Sequence, residues 1–243
     1  MSKININTVI IAIAVVLFAF IGKSAYKYKF KEAQTISVTG LAEKDFDSDL
    51  IVWTGNYSKT GSDLKSVYAE LKRDENTIRQ YLLKKGVANG DIIFTAIDIS
   101  KNFETQTDEN NRSTSVFSGY TLTQTVKVES KDVDKVEAVS REVTELIESD
   151  IAFTSAAPAY YYSKLAELKL DLLSKASADA KSRANSIAEN AGAKIGDLRS
   201  ASMGIFQITG KNSNEDYSYG GTFNTSSRKK TASITMRSEY LVR

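Results

Sequence analysis

Two stretches of this sequence, KKGVANGDIIF and ENAGAKIGDLRS, place Gly86, Gly90, Asp91 and Ile92 in register with Gly192, Gly196, Asp197 and Leu198. Each reads G-x-x-x-G-D followed by Ile or Leu, and each closes a long helical pattern. The role expected of these residues is punctuation. The first glycine takes the left-handed conformation that ends a helix, the second turns the chain, the aspartate serves the turn by bonding backbone amides, and the aliphatic residue opens a strand. In both places a strand, a long polar loop and a second strand follow. The loops, Asn102 to Ser115 and Lys211 to Arg228, are rich in Asn, Ser, Thr and Gly and are expected as solvent-exposed hairpin tips. A helix-strand-strand unit used twice is therefore the strongest constraint on the fold.

Periodicity fills in the rest. Ala232, Ile234, Met236, Tyr240 and Val242 share one face of a C-terminal strand, with Thr231, Ser233, Thr235, Arg237 and Glu239 on the other. Tyr120, Leu122, Gln124, Val126 and Val128 alternate in the same way against Thr121, Thr123, Thr125 and Lys127. Shorter alternations predict further strands within 34 to 58 and near 151 to 162. Helical period governs residues 63 to 85, where Leu64, Val67, Tyr68, Leu71, Ile78 and Leu82 form one stripe, and returns at 132 to 149 and 164 to 191. The order predicts an α+β fold in which helices cover one face of largely antiparallel sheet.

The last of these helices carries almost nothing large. Ala176, Ala180, Ala184 and Ala188 recur every fourth position and draw a ridge of methyl groups. Such a ridge predicts close packing against the sheet or a neighbouring helix, and Gly192 is the expected stop.

Composition removes several chemistries. The chain has no cysteine and no histidine, so disulfides, thiolate nucleophiles and the commonest general base and nitrogen ligand are all missing. Any metal site would be all oxygen. The alternating Asp45, Asp47 and Asp49 are the only run suggestive of one, and they are expected to be solvated. Lysine plus arginine is 32 against 30 acids, a balance without the basic footprint that nucleic-acid binding needs. Nucleotide-loop and nucleophile-elbow motifs are absent. Asp91 and Asp197 read as turn residues rather than a catalytic pair, and no catalytic, metal or cofactor-binding residue is assigned.

The first 33 residues stand apart from a domain at 34 to 243. Val9 to Ile21 is unbroken apolar sequence, and the aromatic and basic alternation from Tyr26 to Lys31 suits a headgroup region. An uncleaved single-pass anchor is the expectation, with a cleaved signal peptide as the alternative. The lysines that follow the apolar run would, by charge alone, put the domain in the cytoplasm.

VTGLAEKDFDSDLIVW near the start, a helix ending KKGV and then GDI, Tyr120 in the following strand, and SADAKSRANSIAENAGAKIGDL near the end together resemble the SIMPL-domain family, in its bacterial envelope branch, over roughly residues 34 to 243. The resemblance implies an exported protein of the cell envelope, anchored in the inner membrane with its domain in the periplasm. Some relatives form rings or channel-like oligomers, and some are linked to oxidative stress. It implies no catalytic residues. The chain departs from simpler members in lacking a proline-tyrosine element after the third strand, in the loop 211 to 228 and in keeping an apparent anchor.

A closed homo-oligomer is the expected partner state, with other envelope proteins as further candidates. In an extended PAYYYSKL, Tyr161 points away from the face shared by Tyr160 and Tyr162, which makes it the candidate contact. The aromatic loop Tyr217 to Phe223 reads equally as a recognition tip or as a flexible loop.

Overall fold

A computed structural model describes residues 14–23, 34–107 and 111–243. The main elements run β1 (Thr35–Asp47), β2 (Leu50–Gly61), α1 (Leu64–Lys84), β3 (Ile92–Phe94), β4 (Asp98–Thr107), β5 (Ser113–Ser130) and α2 (Val133–Glu142). They continue as β6 (Phe153–Ser155), β7 (Ala159–Tyr161), α3 (Leu165–Asn190), β8 (Ile195–Met203), β9 (Gln207–Gly210) and β10 (Lys229–Val242). The fold is α+β; β10 pairs antiparallel with β8 and β9, β2 with β5, β6 and β7, and β5 with β3 and β4. Residues 14–23 are helical, and among the described residues no helix is long and apolar enough to cross a membrane. The rest of the apolar N-terminal run, on which the expectation of an anchor rests, lies outside the described residues.

The chain divides into two compact units. The larger takes in Leu41–Ala176 and Gly204–Thr235. Its sheet runs β3-β5-β2-β6, with β4 also on β5 and β7 also on β2. Alternation drives one face of β2 and β5 inward, so Ile51, Trp53, Leu122, Val126 and Val128 are fully buried. Against them lie Val67, Leu71, Ile78 and Leu82 of α1 and Val136 and Val139 of α2. Both helices start on an aspartate, Asp63 accepting from Ser66 N at 2.8 Å and Asp132 from Lys135 N at 3.2 Å.

The smaller unit takes in residues 34–40, Ser177–Met203 and Met236–Arg243. Its core is small: Val38, Ala180, Ala184 and Tyr240, flanked by Ile36 and Ile195. Of the alanine ridge, Ala180, Ala184 and Ala188 belong to this unit and Ala176 to the larger; all four are fully buried.

Both helix closures have the expected form. Gly86 (φ +86) donates to Leu83 O at 2.9 Å while Val87 N donates to Leu82 O at 3.0 Å. Gly192 (φ +71) donates to Glu189 O at 3.0 Å while Ala193 N donates to Ala188 O at 2.9 Å. This reciprocal pair of bonds satisfies carbonyls that a helix end otherwise strands. The second glycines part from one another: Gly90 is in a turn and Gly196 is not. Gly90 sits in a short 3-10 turn, Asn89–Asp91, with no left-handed backbone and open space where a Cβ would stand. Gly196 is not in a turn at all, because β8 has already begun at Ile195; a Cβ there would meet Arg243 Nε at 3.0 Å. It admits close approach of the C-terminal strand.

The two copies share a feature that alternation alone does not reveal. In each, the strand after the helix breaks in two. Thr95 to Ile97 separate β3 from β4 and face only Gln124 and Thr125, since Phe94 pairs with Val126 and Asp98 with Thr123. Gly204 to Phe206 separate β8 from β9 and face only Ile234 and Thr235, since Met203 pairs with Met236 and Gln207 with Ser233. Three residues against two is a β-bulge, and it recurs at the same place in both copies of the helix-strand-strand plan.

Candidate functional site

The expected loop Asn102 to Ser115 is mostly strand. Residues 102 to 107 belong to β4 and 113 to 115 to β5, so the hairpin is a long ribbon with a short connection. β2 stops where Gly61 pairs with Tyr120, and beyond that point, among the described residues, β5 pairs only with β4. Residues 113–118 are all exposed, on both faces. A bulge after Asn102 resets the register so that Phe103 faces Phe117. Their rings stand edge to face at 5.9 Å, and Phe117 continues onto Tyr120 at 5.0 Å. Phe103 is 58% and Phe117 44% exposed, and Ile99 on the same face is also exposed. That face is the continuation of the one which, at Leu122, is core. The sheet outruns its helix layer and carries its apolar side into the open.

The second copy ends differently. Instead of a ribbon, residues 211 to 228 form the expected loop, exposed from Lys211 to Gly220 and tied back onto its own strands further on. Gln207 is buried and holds the loop from below, donating to Ser218 O at 2.8 Å and accepting from Thr222 N at 2.5 Å. Glu215 accepts from Gly210 N at 2.9 Å and from Asn224 Nδ2, and these bonds hold its carboxyl below the usual range. Thr225 O receives Tyr160 N at 2.7 Å.

At the base of this loop lies Lys230, a residue that the sequence reading passed over, 1% exposed. Its Nζ donates to the carbonyl oxygens of Tyr160 at 2.5 Å and Asn224 at 2.6 Å, and stands 5.9 Å from the centre of the Phe223 ring. Burial pushes its pKa down to about 8, with the Glu215 charge pulling weakly the other way. The amine is consumed by two carbonyls, so it clamps the loop. A signal was present: residue 230 shares the parity of Ala232, Ile234 and Met236, which puts it on the inward face.

Above the clamp the aromatic loop is raised into solvent. Tyr217 is 62% and Tyr219 99% exposed. They border a groove of about 400 Å³ whose other walls include Leu41, Ile205, Gln207 and Thr235.

Of the remaining acidic candidates, Asp45, Asp49 and Asp197 have side-chain partners. Asp91 lies in the short turn, its N–H donating to Ala88 O at 3.0 Å. Asp197 is on exposed β8 and accepts from Arg243 Nη2 at 2.8 Å, so it serves a strand and not a turn. Asp45 pairs with Lys211 at 2.7 Å and accepts from Thr231 Oγ1 at 2.7 Å, which holds its carboxyl low. Asp49 accepts from Ser163 N at 2.7 Å and Ser163 Oγ at 2.6 Å. Among the described residues no cluster of acidic side chains is arranged to hold a metal ion. Tyr160 is core, Tyr162 stacks at a tilt on Phe46 at 4.8 Å, and Tyr161 is half-buried in β7 opposite Leu50.

The family model SIMPL, described as a protein of unknown function (DUF541), matches residues 36–239. No curated protein matches the chain.

Proposed function

Since the chain belongs to the SIMPL family across nearly its whole length, we propose that it is a non-catalytic assembly component of the bacterial cell envelope. In this reading the N-terminal segment holds it in the inner membrane, the domain faces the periplasm, and copies associate into a closed, ring-forming oligomer that contributes to stress tolerance. The observation that carries the reading is the uncovered aromatic face of the β4–β5 ribbon. Phe103 and Phe117 are exposed, whereas Asp45, Asp49 and the buried Lys230 are already engaged by internal bonds. Confinement to a membrane surface would raise the effective concentration of copies and populate even a weak contact. Tyr161 stays the contact candidate from the sequence, although its half-burial leaves less of it to offer.

Light scattering on the full-length chain in detergent tests the proposal. A mass of several copies at tens of micromolar is expected, and a monomer would refute it. The intact mass of the mature chain tests the anchor, because an N-terminus at Ala25 would mean cleavage. A reporter fused after Arg243 that works only in the cytoplasm would reverse the orientation.

A second reading, a periplasmic ligand- or partner-binding module released by signal-peptide cleavage, is favoured by the groove beside Tyr217 and Tyr219. A photo-cross-linker placed at Tyr219 in cells should then join the chain to a different envelope protein. Adducts only with itself would reject this alternative.

A further inference from the structure

We propose that the outer edge of β5, residues Ser113 to Ser118, pairs antiparallel with the same edge of a second copy, joining two ribbons into one four-stranded sheet. The inference rests on the assembly reading and supplies one of its contacts: a two-fold pair closes on itself, so a ring of such pairs needs a second, different surface.

Three observations converge on it. The first is the open edge. Past the Gly61 and Tyr120 pair, nothing among the described residues occupies the side of β5 that β2 occupies further along. A row of unpaired backbone donors and acceptors is left in the open, and a two-stranded ribbon alone in water is marginally stable.

The second is the lack of protection. Natural edges are blunted by charge, proline or a covering element. From Ser113 to Val126 the sequence STSVFSGYTLTQTV has no charged residue and no proline. The ribbon's other strand, β4, does carry Asp98, Lys101 and Glu104.

The third is symmetry, and it selects a second copy as the occupant. Antiparallel pairing of a strand with itself sets each residue opposite another of the same segment, so any charge in it risks facing its own kind. An uncharged strand is self-compatible, whereas β4 would bring like charges together. The two-fold axis of such a pair is perpendicular to the sheet, which keeps equivalent faces on the same side. Phe103 and Phe117 of the two copies would therefore lie on the same side of the joined sheet. The exposed stretch of about six residues is about 20 Å long, a usual strand length.

The absence of cysteine makes the test clean. Residues directly opposite in an antiparallel pair have Cα atoms about 4.5–5.5 Å apart, within reach of a disulfide. Single substitutions Ser113→Cys, Thr114→Cys, Ser115→Cys, Val116→Cys and Ser118→Cys are made in the full-length chain, with Lys65→Cys on the exposed side of α1 as reference. Under mild oxidation at tens of micromolar, one or two adjacent ribbon positions should give covalent dimer at least tenfold faster than the reference. Adding Thr114→Lys and Val116→Lys to the fastest of these, or the one of the two that the cysteine leaves available, should remove that advantage and lower the scattering mass without moving the melting temperature, because both side chains are exposed. Ribbon positions no faster than the reference in a chain that scatters as an oligomer would overturn this contact and leave the assembly reading standing. A monomer would overturn both.

Discussion

The two copies of the helix-strand-strand plan use the same punctuation and opposite packing. α1 meets its sheet through Val67, Leu71, Ile78 and Leu82, whereas α3 turns Ala180, Ala184 and Ala188 inward, all of them fully buried. The left-handed glycine closure and the three-against-two bulge occur in both. Backbone devices thus define the plan, and side-chain volume is free to differ so long as the space between helix and sheet differs with it. The copies also part at one aligned position. With Val126 equivalent to Met236, Tyr120 corresponds to Lys230. Past Tyr120 the strand runs on as an open ribbon; past Lys230 it gives way to a loop clamped by that lysine. The same plan thus presents an exposed edge at one end and a folded tip at the other.

Exchanging the two packings should break the comparison most severely. Leu71→Ala removes a fully buried side chain from the larger core and should cost about 2–5 kcal/mol, the transfer loss plus the cavity. Ala184→Leu puts bulk into a contact that admits only a methyl and should cost about 1–3 kcal/mol. Urea titrations give both numbers. A midpoint for Ala184→Leu equal to that of the parent chain would mean that the small unit has slack, and the close-packed reading would fall.

The Tyr120 and Lys230 difference predicts a pH effect. The folded pKa of Lys230 is lowered by burial to about 8, while an unfolded lysine titrates near its ordinary ~10.4. Between those values the unfolded chain binds the extra proton, so this group's contribution to stability is least below pH 8 and rises by about 1–3 kcal/mol towards pH 10. Tyr57, Tyr81 and Tyr160 act the other way further on. Burial raises each of them, so they stay protonated in the fold while the unfolded chain loses those protons above about pH 10. Denaturant midpoints should therefore climb from pH 7.5 and then fall. In Lys230→Met the climb should vanish, and stability at pH 7.5 should drop by about 1–3 kcal/mol because Tyr160 O and Asn224 O lose their donor. A climb that survives the substitution would assign it to another group.

Much of this fold was legible because its devices have few chemical substitutes. Glycine is nearly the only residue that closes a helix left-handed without cost, so Gly86 and Gly192 announced themselves, and four-residue spacing exposed the alanine ridge. The bulges were not legible, since a one-residue offset is a relation between two strands and neither Thr95 nor Gly204 marks it alone. The ribbon was misread for a physical reason. A strand exposed on both faces has no need of alternation, and its Ser, Thr and Asn content imitates a loop. Lys230 sat in phase with the inward face, but its charge argued for the surface. The aspartates after Gly90 and Gly196 look alike in sequence and part in space, one in a short turn and one on a strand beside Arg243.

The shared punctuation can itself be sharpened. Gly86→Ala and Gly192→Ala put a Cβ on left-handed backbone where the nearest neighbours are Lys135 Cδ at 3.5 Å for the first and nothing within 4 Å for the second. Space is available in both, so the cost is conformational, about 1–2 kcal/mol in each. Near-equal losses would show that the two closures are energetically as well as geometrically equivalent. A much larger loss at Gly86 would trace to its neighbour in α2.

A third closure lies outside the duplication and gives the smallest effect. The 3-10 segment Val143–Ser149 ends at Asp150 (φ 58), whose N–H donates to Ile147 O at 3.0 Å while Ile151 N donates to Leu146 O at 3.2 Å. These are the bonds made by the two glycine closures, here around an aspartate. Aspartate tolerates left-handed backbone better than most residues but still pays more than glycine does. Asp150→Gly relieves that strain and leaves the Asp150 carbonyl, which receives Lys59 Nζ at 3.2 Å, in place. Against the relief stands the larger freedom of glycine in the unfolded chain, about 0.4–1 kcal/mol. The two nearly offset, and the net expectation is a gain between about 0 and 1 kcal/mol, readable as a slightly higher urea midpoint at unchanged slope. A loss beyond about 1 kcal/mol would mean that the Asp150 carboxylate itself stabilises the turn, and that this closure is held by its side chain where the other two are held by backbone alone.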